Sequence, residues 1–339
     1  MERPRTLPDD LANLGRGILM GGADIIPGVS GGTVALVLGI YERLVTAISH
    51  FDLTLVGQLR KRHWTAAAQH VDLRFLVSLG CGILAGIAAL TNLIHFLLDH
   101  HHQYTFSAFF GLILVSSLVV GRNVAPQNRR QWFGAVLLGL AAAGFAFWLV
   151  GLPFLQHLPS YLYLFLCGTV AICAMILPGI SGAFILLILG EYSHVIGVIK
   201  DVISLTITTE HVLTLVVFAS GCALGLVSFS KVLRRLLNHY HGATMAVLCG
   251  FMVGSLRKIW PFKHDLTPEI TEVKLKQYEN VLPGAFDGNV WLSLGLAVAA
   301  AAFVFALDWL TSGHEQEPLP QHGSLNPEEI TPQENGKDA

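Results

Sequence analysis

Residues Gly21-Gly22-Ala23-Asp24-Ile25-Ile26-Pro27-Gly28-Val29-Ser30-Gly31-Gly32-Thr33, followed by Gly39-Ile40-Tyr41-Glu42, decide how the rest of the chain is read. Glycine inside a helix costs about 1 kcal/mol relative to alanine, and proline roughly 3. The apolar flanks therefore predict two half-helices with a break from Pro27 to Gly32, not one continuous helix. The break occurs twice. Pro178-Gly179-Ile180-Ser181-Gly182-Ala183, with Gly190-Glu191-Tyr192, repeats it 151 positions later without a gap. At this offset residues 21–45 and 172–196 agree at ten positions, half of them glycine, proline or serine that shape backbone. A second block, Leu97-Leu98-Asp99-His100-His101-His102 with Thr105, Gly111 and Ser116, returns as Leu236-Leu237-Asn238-His239-Tyr240-His241 with Thr244, Gly250 and Ser255. The chain reads as one unit doubled. Apolar segments interrupted by Gly and Pro at corresponding places in two halves point to a transporter's binding site.

Composition agrees. Of the 339 residues, 53% are hydrophobic and only 13% charged, and the mean hydropathy is +0.58. This excludes an ordinary soluble domain and fits a polytopic membrane protein. The net charge of −2 gives no reason to expect nucleic acid as a partner. Cys81, Cys167, Cys173, Cys222 and Cys249 lie in apolar runs without metal-ligand spacing and read as small core residues. The first ten residues lack an apolar stretch ending in a small-residue cleavage site, so no removable signal is expected.

The expected fold class is an all-α polytopic membrane protein with an inverted internal repeat. Each half holds one broken re-entrant helical hairpin plus three transmembrane helices. Residues 1–10 form a cytoplasmic N-terminus. Repeat 1 covers 11–152, with a hairpin at 11–50 and spans at 75–98, 104–121 and 132–152. Repeat 2 covers 161–311, with a hairpin at 161–200 and spans at 212–229, 243–255 and 290–311. Residues 312–339 are acidic, contain Pro and Gly, and are expected to be a disordered cytoplasmic tail. The polar interval 51–74 reads as an interfacial helix.

Basic residues orient these spans. Arg60 to Arg62, Arg122, Arg129, Arg130, Lys231, Arg234 and Arg235 mark the inside, while 153–160 holds no Lys or Arg and lies outside. Arg257 and Lys258 fall on the outer side and run against the rule. Three spans per half is an odd number, so the second half sits upside down and the two breaks face each other.

The breaks carry the candidate chemistry. Ser30 and Ser181 are placed to cap the half-helices that follow. The amides of Gly31, Gly32, Gly182 and Ala183 then face an elbow where an anion can be held. The candidate binding set is Arg16, Pro27, Gly28, Ser30, Gly31, Gly32, Thr33, Pro178, Gly179, Ser181, Gly182 and Ala183, with Arg16 as counter-charge. The alternative is a capped kink where helices cross closely through glycine. Asp24 reads either as a carrier of a coupling proton or sodium ion or as a cap for loose amides. Glu42 and Glu191 are further coupling candidates, although a solvated carboxylate at a helix end is the slightly favoured reading of each. The histidine turns 99–102 and 238–241 lie on opposite faces in this topology, so no metal site is expected, and no cofactor.

Both breaks, with Gly39-Ile40-Tyr41-Glu42 and Gly190-Glu191-Tyr192, resemble the signature of the PopT family of bacterial polyprenyl-phosphate transporters. The resemblance runs from about Leu14 to Thr311. It implies a non-enzymatic flippase of the bacterial cytoplasmic (inner) membrane. Its cargo would be undecaprenyl phosphate, returned from the outer to the cytoplasmic leaflet for reuse in cell-wall and surface-polymer synthesis. The loop 262–289 and the tail are where this chain is expected to differ from its family. The residues leave two other functions open. A transporter of small soluble anions would use the same helix ends. A membrane lipid phosphatase would need a nucleophile, a base and a phosphate clamp, and neither elbow contains a histidine or a Lys/Arg cluster.

Overall fold

Residues 7–312, apart from 127, 271–274 and 285–286, are described by a computed structural model. Residues 1–6 of the N-terminal segment and the tail expected at 312–339, except Ser312, lie outside the described residues; Ser312 itself ends the last helix and is not part of a tail. The first half contains α1 (Leu7–Ile25), α2 (Gly31–Val37), α3 (Tyr41–Ser49), α4 (Leu53–Arg60), α5 (Trp64–His70), α6 (Leu73–His100), α7 (His102–Arg122) and α8 (Arg129–Leu149). The second contains α9 (Tyr161–Ile176), α10 (Gly182–Ile188), α11 (Tyr192–Ile203), α12 (Thr209–His239), α13 (His241–Ser255) and α14 (Gly288–Ser312).

Local chemistry sets these boundaries. Asp52, Asn128, Ser160 and Thr208 precede α4, α8, α9 and α12, and each side chain accepts an amide proton of the first turn. Both predicted breaks are present, between α1 and α2 and between α9 and α10. Each half also bends a second time, by 117° between α2 and α3 and by 115° between α10 and α11. Gly28 and Gly179 have φ of 89° and 86°, and Gly39 and Gly190 have 69° and 77°. These left-handed conformations are strained for any residue with a Cβ, so the repeated glycines are what the two turns of each half require. Each hairpin is thus three helical pieces with two turns, where one break was expected.

α6, α7, α8, α12 and α14 are long and apolar enough to cross a membrane. Their outward faces carry exposed Leu, Val and Phe, a surface suited to lipid. Exposed Trp132 and Trp148 sit at the two ends of α8, roughly 24 Å apart at 1.5 Å per residue, as interfacial anchors do. The interval 51–74 forms two short helices, α4 and α5, in place of the single interfacial helix expected; Arg62, with φ 58°, turns the chain between them. The loop 262–289 is not wholly irregular. It holds a two-stranded antiparallel ribbon of β1 (Lys263–Asp265) and β2 (Tyr278–Asn280), with Lys263 opposite Asn280.

The halves are interlocked. α1 packs on α6 as α9 packs on α12, whereas α7 of the first half packs on α14 of the second, and α13 of the second on α8 of the first. Exchanging the halves maps this pairing onto itself. The core lies where the parts meet, with Ile26, Val29, Tyr41, Phe75, Phe106, Met245, Met252 and Ile259 all nearly inaccessible.

Candidate functional site

The two elbows lie against each other. The Gly179 amide donates to Thr33 Oγ1 at 2.7 Å in a buried contact. Ser30 Oγ donates to the Met175 carbonyl at 3.4 Å, and the Tyr41 hydroxyl to the Ile176 carbonyl at 3.1 Å. α9 ends at Ile176, so its last carbonyls have no partners of their own within the helix. The first elbow supplies them. A Cβ on Gly32 would stand 2.9 Å from the Ile176 carbonyl oxygen, and this closeness keeps larger residues out.

Within the first elbow the predicted amides are taken. Asp24 Oδ1 accepts the Gly31 amide at 2.6 Å, and Ser30 Oγ accepts that of Gly32 at 3.2 Å. The second elbow differs, because Ser181 makes no side-chain cap and Met175 stands where Asp24 stands in the first. Arg16 donates to Asn13 at 3.1 Å and lies eight residues before Asp24 on α1, about 12 Å along the axis. Pro27, Gly28, Pro178 and Gly182 shape the elbows, and Gly28, Pro178 and Gly182 are buried there.

Another cation reaches the elbows. α13 has 15 residues, about 22 Å, short of the roughly 30 Å of a hydrocarbon core. The chain beyond it turns back against both breaks instead of emerging. A Cβ on Gly179 would stand 2.9 Å from Ser255 Oγ, and one on Gly28 would meet the Lys258 side chain at 2.5 Å. Lys258 Nζ lies 4.2 Å over the ring of Phe184, in the first turn of α10.

Lys258 lines a cavity of ≈ 690 Å³ with Arg257, Lys263, Lys276, Phe184 and Phe154. Lys276 is paired with Asp265 at 2.8 Å. Arg257 donates to the Phe147 carbonyl at 2.9 Å. Lys263 donates to the Lys258 carbonyl and sits 4.0 Å over Phe106. Among the described residues neither Lys258 nor Lys263 has a carboxylate partner. Burial pushes the Lys258 ammonium down to about 8. Burial, with the charge of Lys258, holds Lys263 well below the ordinary lysine range. A cavity that holds two desolvated lysines, neither paired with a carboxylate although Glu279 lines the same space, is chemically suited to an anion, which would favour their charged forms.

Lys258 was missed as a site residue, although a signal for it existed. Two basic residues on the side where the positive-inside rule expects none mark a turn that is not an ordinary outer loop.

The two glutamates at the second bends have different surroundings. Glu42 is half exposed and accepts from His241 at 2.8 Å. Glu191 is fully buried, with Oε1 2.8 Å from His157 Nδ1. The histidine turns are separate: His102 packs at a tilt between Phe106 and Tyr278, while His241 reaches Glu42.

Residues 20–276, which include both elbows and Lys258, Lys263 and Lys276, match the protein family described as undecaprenyl phosphate translocase-like. A polyprenyl-phosphate transporter of Vibrio cholerae is 38% identical over 305 residues, covering 86% of this chain and 94% of that protein. One from Staphylococcus aureus is 33% identical over 263 residues, covering 74% and 86%. No solved structure matches the chain.

Proposed function

The chain belongs to the undecaprenyl phosphate translocase-like family, and on that premise we propose that it carries undecaprenyl phosphate from the outer to the cytoplasmic leaflet of the bacterial inner membrane. The returned lipid would serve again in cell-wall and surface-polymer synthesis. The observation that carries this reading is the pair of buried lysines, Lys258 and Lys263, lining one cavity without a carboxylate partner among the described residues, with the Lys258 side chain against Gly28 of the first elbow. A polyprenyl phosphate needs a polar site for its head and a lipid-facing path for its tail. Here Lys258 takes the role expected of Arg16 and meets the phosphate. The second elbow, with Ser181, Gly182 and Ala183, supplies further donors, while Asp24 and Ser30 already occupy those of the first.

The interlocked elbows support alternating access of the two halves around this site, with the second half inverted. Asp24, Glu42 and Glu191 are the carboxylates through which a proton or sodium gradient would drive the cycle. The relatives' names, and the lack of a histidine in either elbow, favour transport over hydrolysis.

The test is a leaflet assay in liposomes containing only this protein and a fluorescent polyprenyl phosphate, with and without a pH or sodium gradient. Translocation by the wild type and its loss in Lys258→Met at unchanged folding support the proposal. Competition by free phosphate or small acids, with no movement of lipid, would instead identify a small-anion transporter. Release of inorganic phosphate from the lipid pyrophosphate would identify a phosphatase.

A further inference from the structure

We propose that His157, Glu191 and His194 form a site for a divalent transition-metal ion, with Zn²⁺ the best match to the donor set. The inference does not depend on the lipid-carrier reading. Glu191 and His194 are three residues apart at the start of α11, so their side chains share one face of the helix. His157 reaches them from the segment that leads into α9. That segment is held in place by the Leu155 amide, which donates to the Ile188 carbonyl at 2.8 Å, so it lies over the Gly190 bend. One donor atom from each of the three residues lies within 4.8 Å of the others. The two imidazoles lie with centroids 4.5 Å apart, their planes tilted by 30°. Tetrahedral Zn²⁺ bonds of about 2.0–2.2 Å place ligand atoms roughly 3.5 Å apart, so side-chain adjustments of about 1 Å complete the geometry.

A second observation points to a ligand. Glu191 is fully buried, and its Oε2 has no hydrogen-bond partner among the described residues. Its Oε1 is served by His157 Nδ1 and, at 3.3 Å, by the Leu158 amide. A buried carboxylate with one bare oxygen is costly unless a cation or donor faces it. A cavity of ≈ 180 Å³ adjoins it, lined by the same three residues with Glu210 and Thr214. Two carboxylates and two imidazoles suit a dication. Two His and one Glu leave a fourth coordination position open for water or for Glu210. The metal would fasten the 153–160 segment to the second bend of the hairpin and take Glu191 out of the coupling carboxylates; at the corresponding bend of the other half Glu42 only hydrogen-bonds His241, both side chains being about half exposed.

The test uses the full chain without a histidine tag, in detergent, stripped with chelator and titrated with Co²⁺ and then Zn²⁺. The expected result is one ion per chain by elemental analysis. Co²⁺ should show the visible absorption of a low-coordinate nitrogen and oxygen site, displaced by Zn²⁺. His157→Ala and His194→Ala should each weaken binding about 100-fold or more. The double variant His100→Ala/His101→Ala, in the exposed turn, should bind as the wild type does. Glu191→Gln removes a buried charge and is informative only if folded, so the two histidine variants decide. Sub-stoichiometric metal in the wild type, or affinity unchanged in both histidine variants, would overturn the proposal.

Discussion

Replacing Thr33 by valine removes one hydroxyl and preserves the side-chain shape. In the native chain that hydroxyl accepts the Gly179 amide at 2.7 Å, and Thr33 itself is inaccessible to solvent. Valine leaves the amide buried beside a methyl group, with no water to replace the lost acceptor. Stranding a buried donor costs about 1–3 kcal/mol. At 1.4 kcal/mol per decade this shifts the balance between docked and separated elbows by roughly 5- to 150-fold. The full cost applies because the bond is short and enclosed, and because Gly179, at φ 86°, has its amide direction fixed by the turn. Thr33→Ser keeps the acceptor and loses only a methyl group.

The assay pairs thermal unfolding in detergent with lipid transfer in liposomes. Thr33→Val should unfold about 2–8 °C below the wild type and transfer lipid more slowly, with Thr33→Ser between it and the wild type and closer to the latter. If Thr33→Val matches the wild type in both measurements, the elbow-to-elbow bond does not hold the two halves in register, and the reasoning from it fails.

Lys258→Met should abolish phosphate-headgroup binding, whereas Lys258→Arg should retain it. Because burial lowers the Lys258 ammonium to about 8, the unliganded wild type is charged at pH 7 and loses that charge above pH 8. Its affinity should then fall by up to about tenfold per pH unit, and the arginine variant should stay flat, since a guanidinium keeps its proton; isothermal titration at pH 7 and pH 9 checks both. A Cβ on Gly111 would overlap the Ala297 carbonyl oxygen, while one on Gly295 would meet nothing within 4 Å. Gly111→Val should therefore cost at least about 1–3 kcal/mol by forcing α7 off α14, and Gly295→Val far less, as read by thermal shift. Glu42 and His241 are both about half exposed, so Glu42→Gln should change stability by no more than about 1 kcal/mol. A loss of gradient dependence at unchanged stability would identify Glu42 as a coupling residue.

Much of the fold was legible because it rests on local physics. Pro27 and Gly28, or Pro178 and Gly179, cannot sit inside a helix whatever surrounds them, and apolar runs such as 73–100 must find lipid or protein. The second turn in each hairpin was less visible. Gly39 and Gly190 stood in the repeat, but a lone glycine near a helix end does not by itself signal a bend above 100°. The site was half legible. The elbows were found from their glycines, yet Asp24 proved to hold the Gly31 amide, and Arg16 proved to bond Asn13. Glu42 follows its tyrosine and Glu191 precedes its own, so the two are not equivalent in sequence, but that order does not tell that Glu42 is half exposed and Glu191 buried against His157.

By itself the sequence determined a membrane protein made of a doubled unit with paired interruptions, because backbone preference and hydropathy act over a few residues. Only the tertiary structure decided which groups share a space. Thr33 meets Gly179 across 146 positions, and Lys258 reaches back to Gly28. Those meetings depend on α13 ending early and on each half lending helices to the other, and such packing leaves no mark on neighbouring residues.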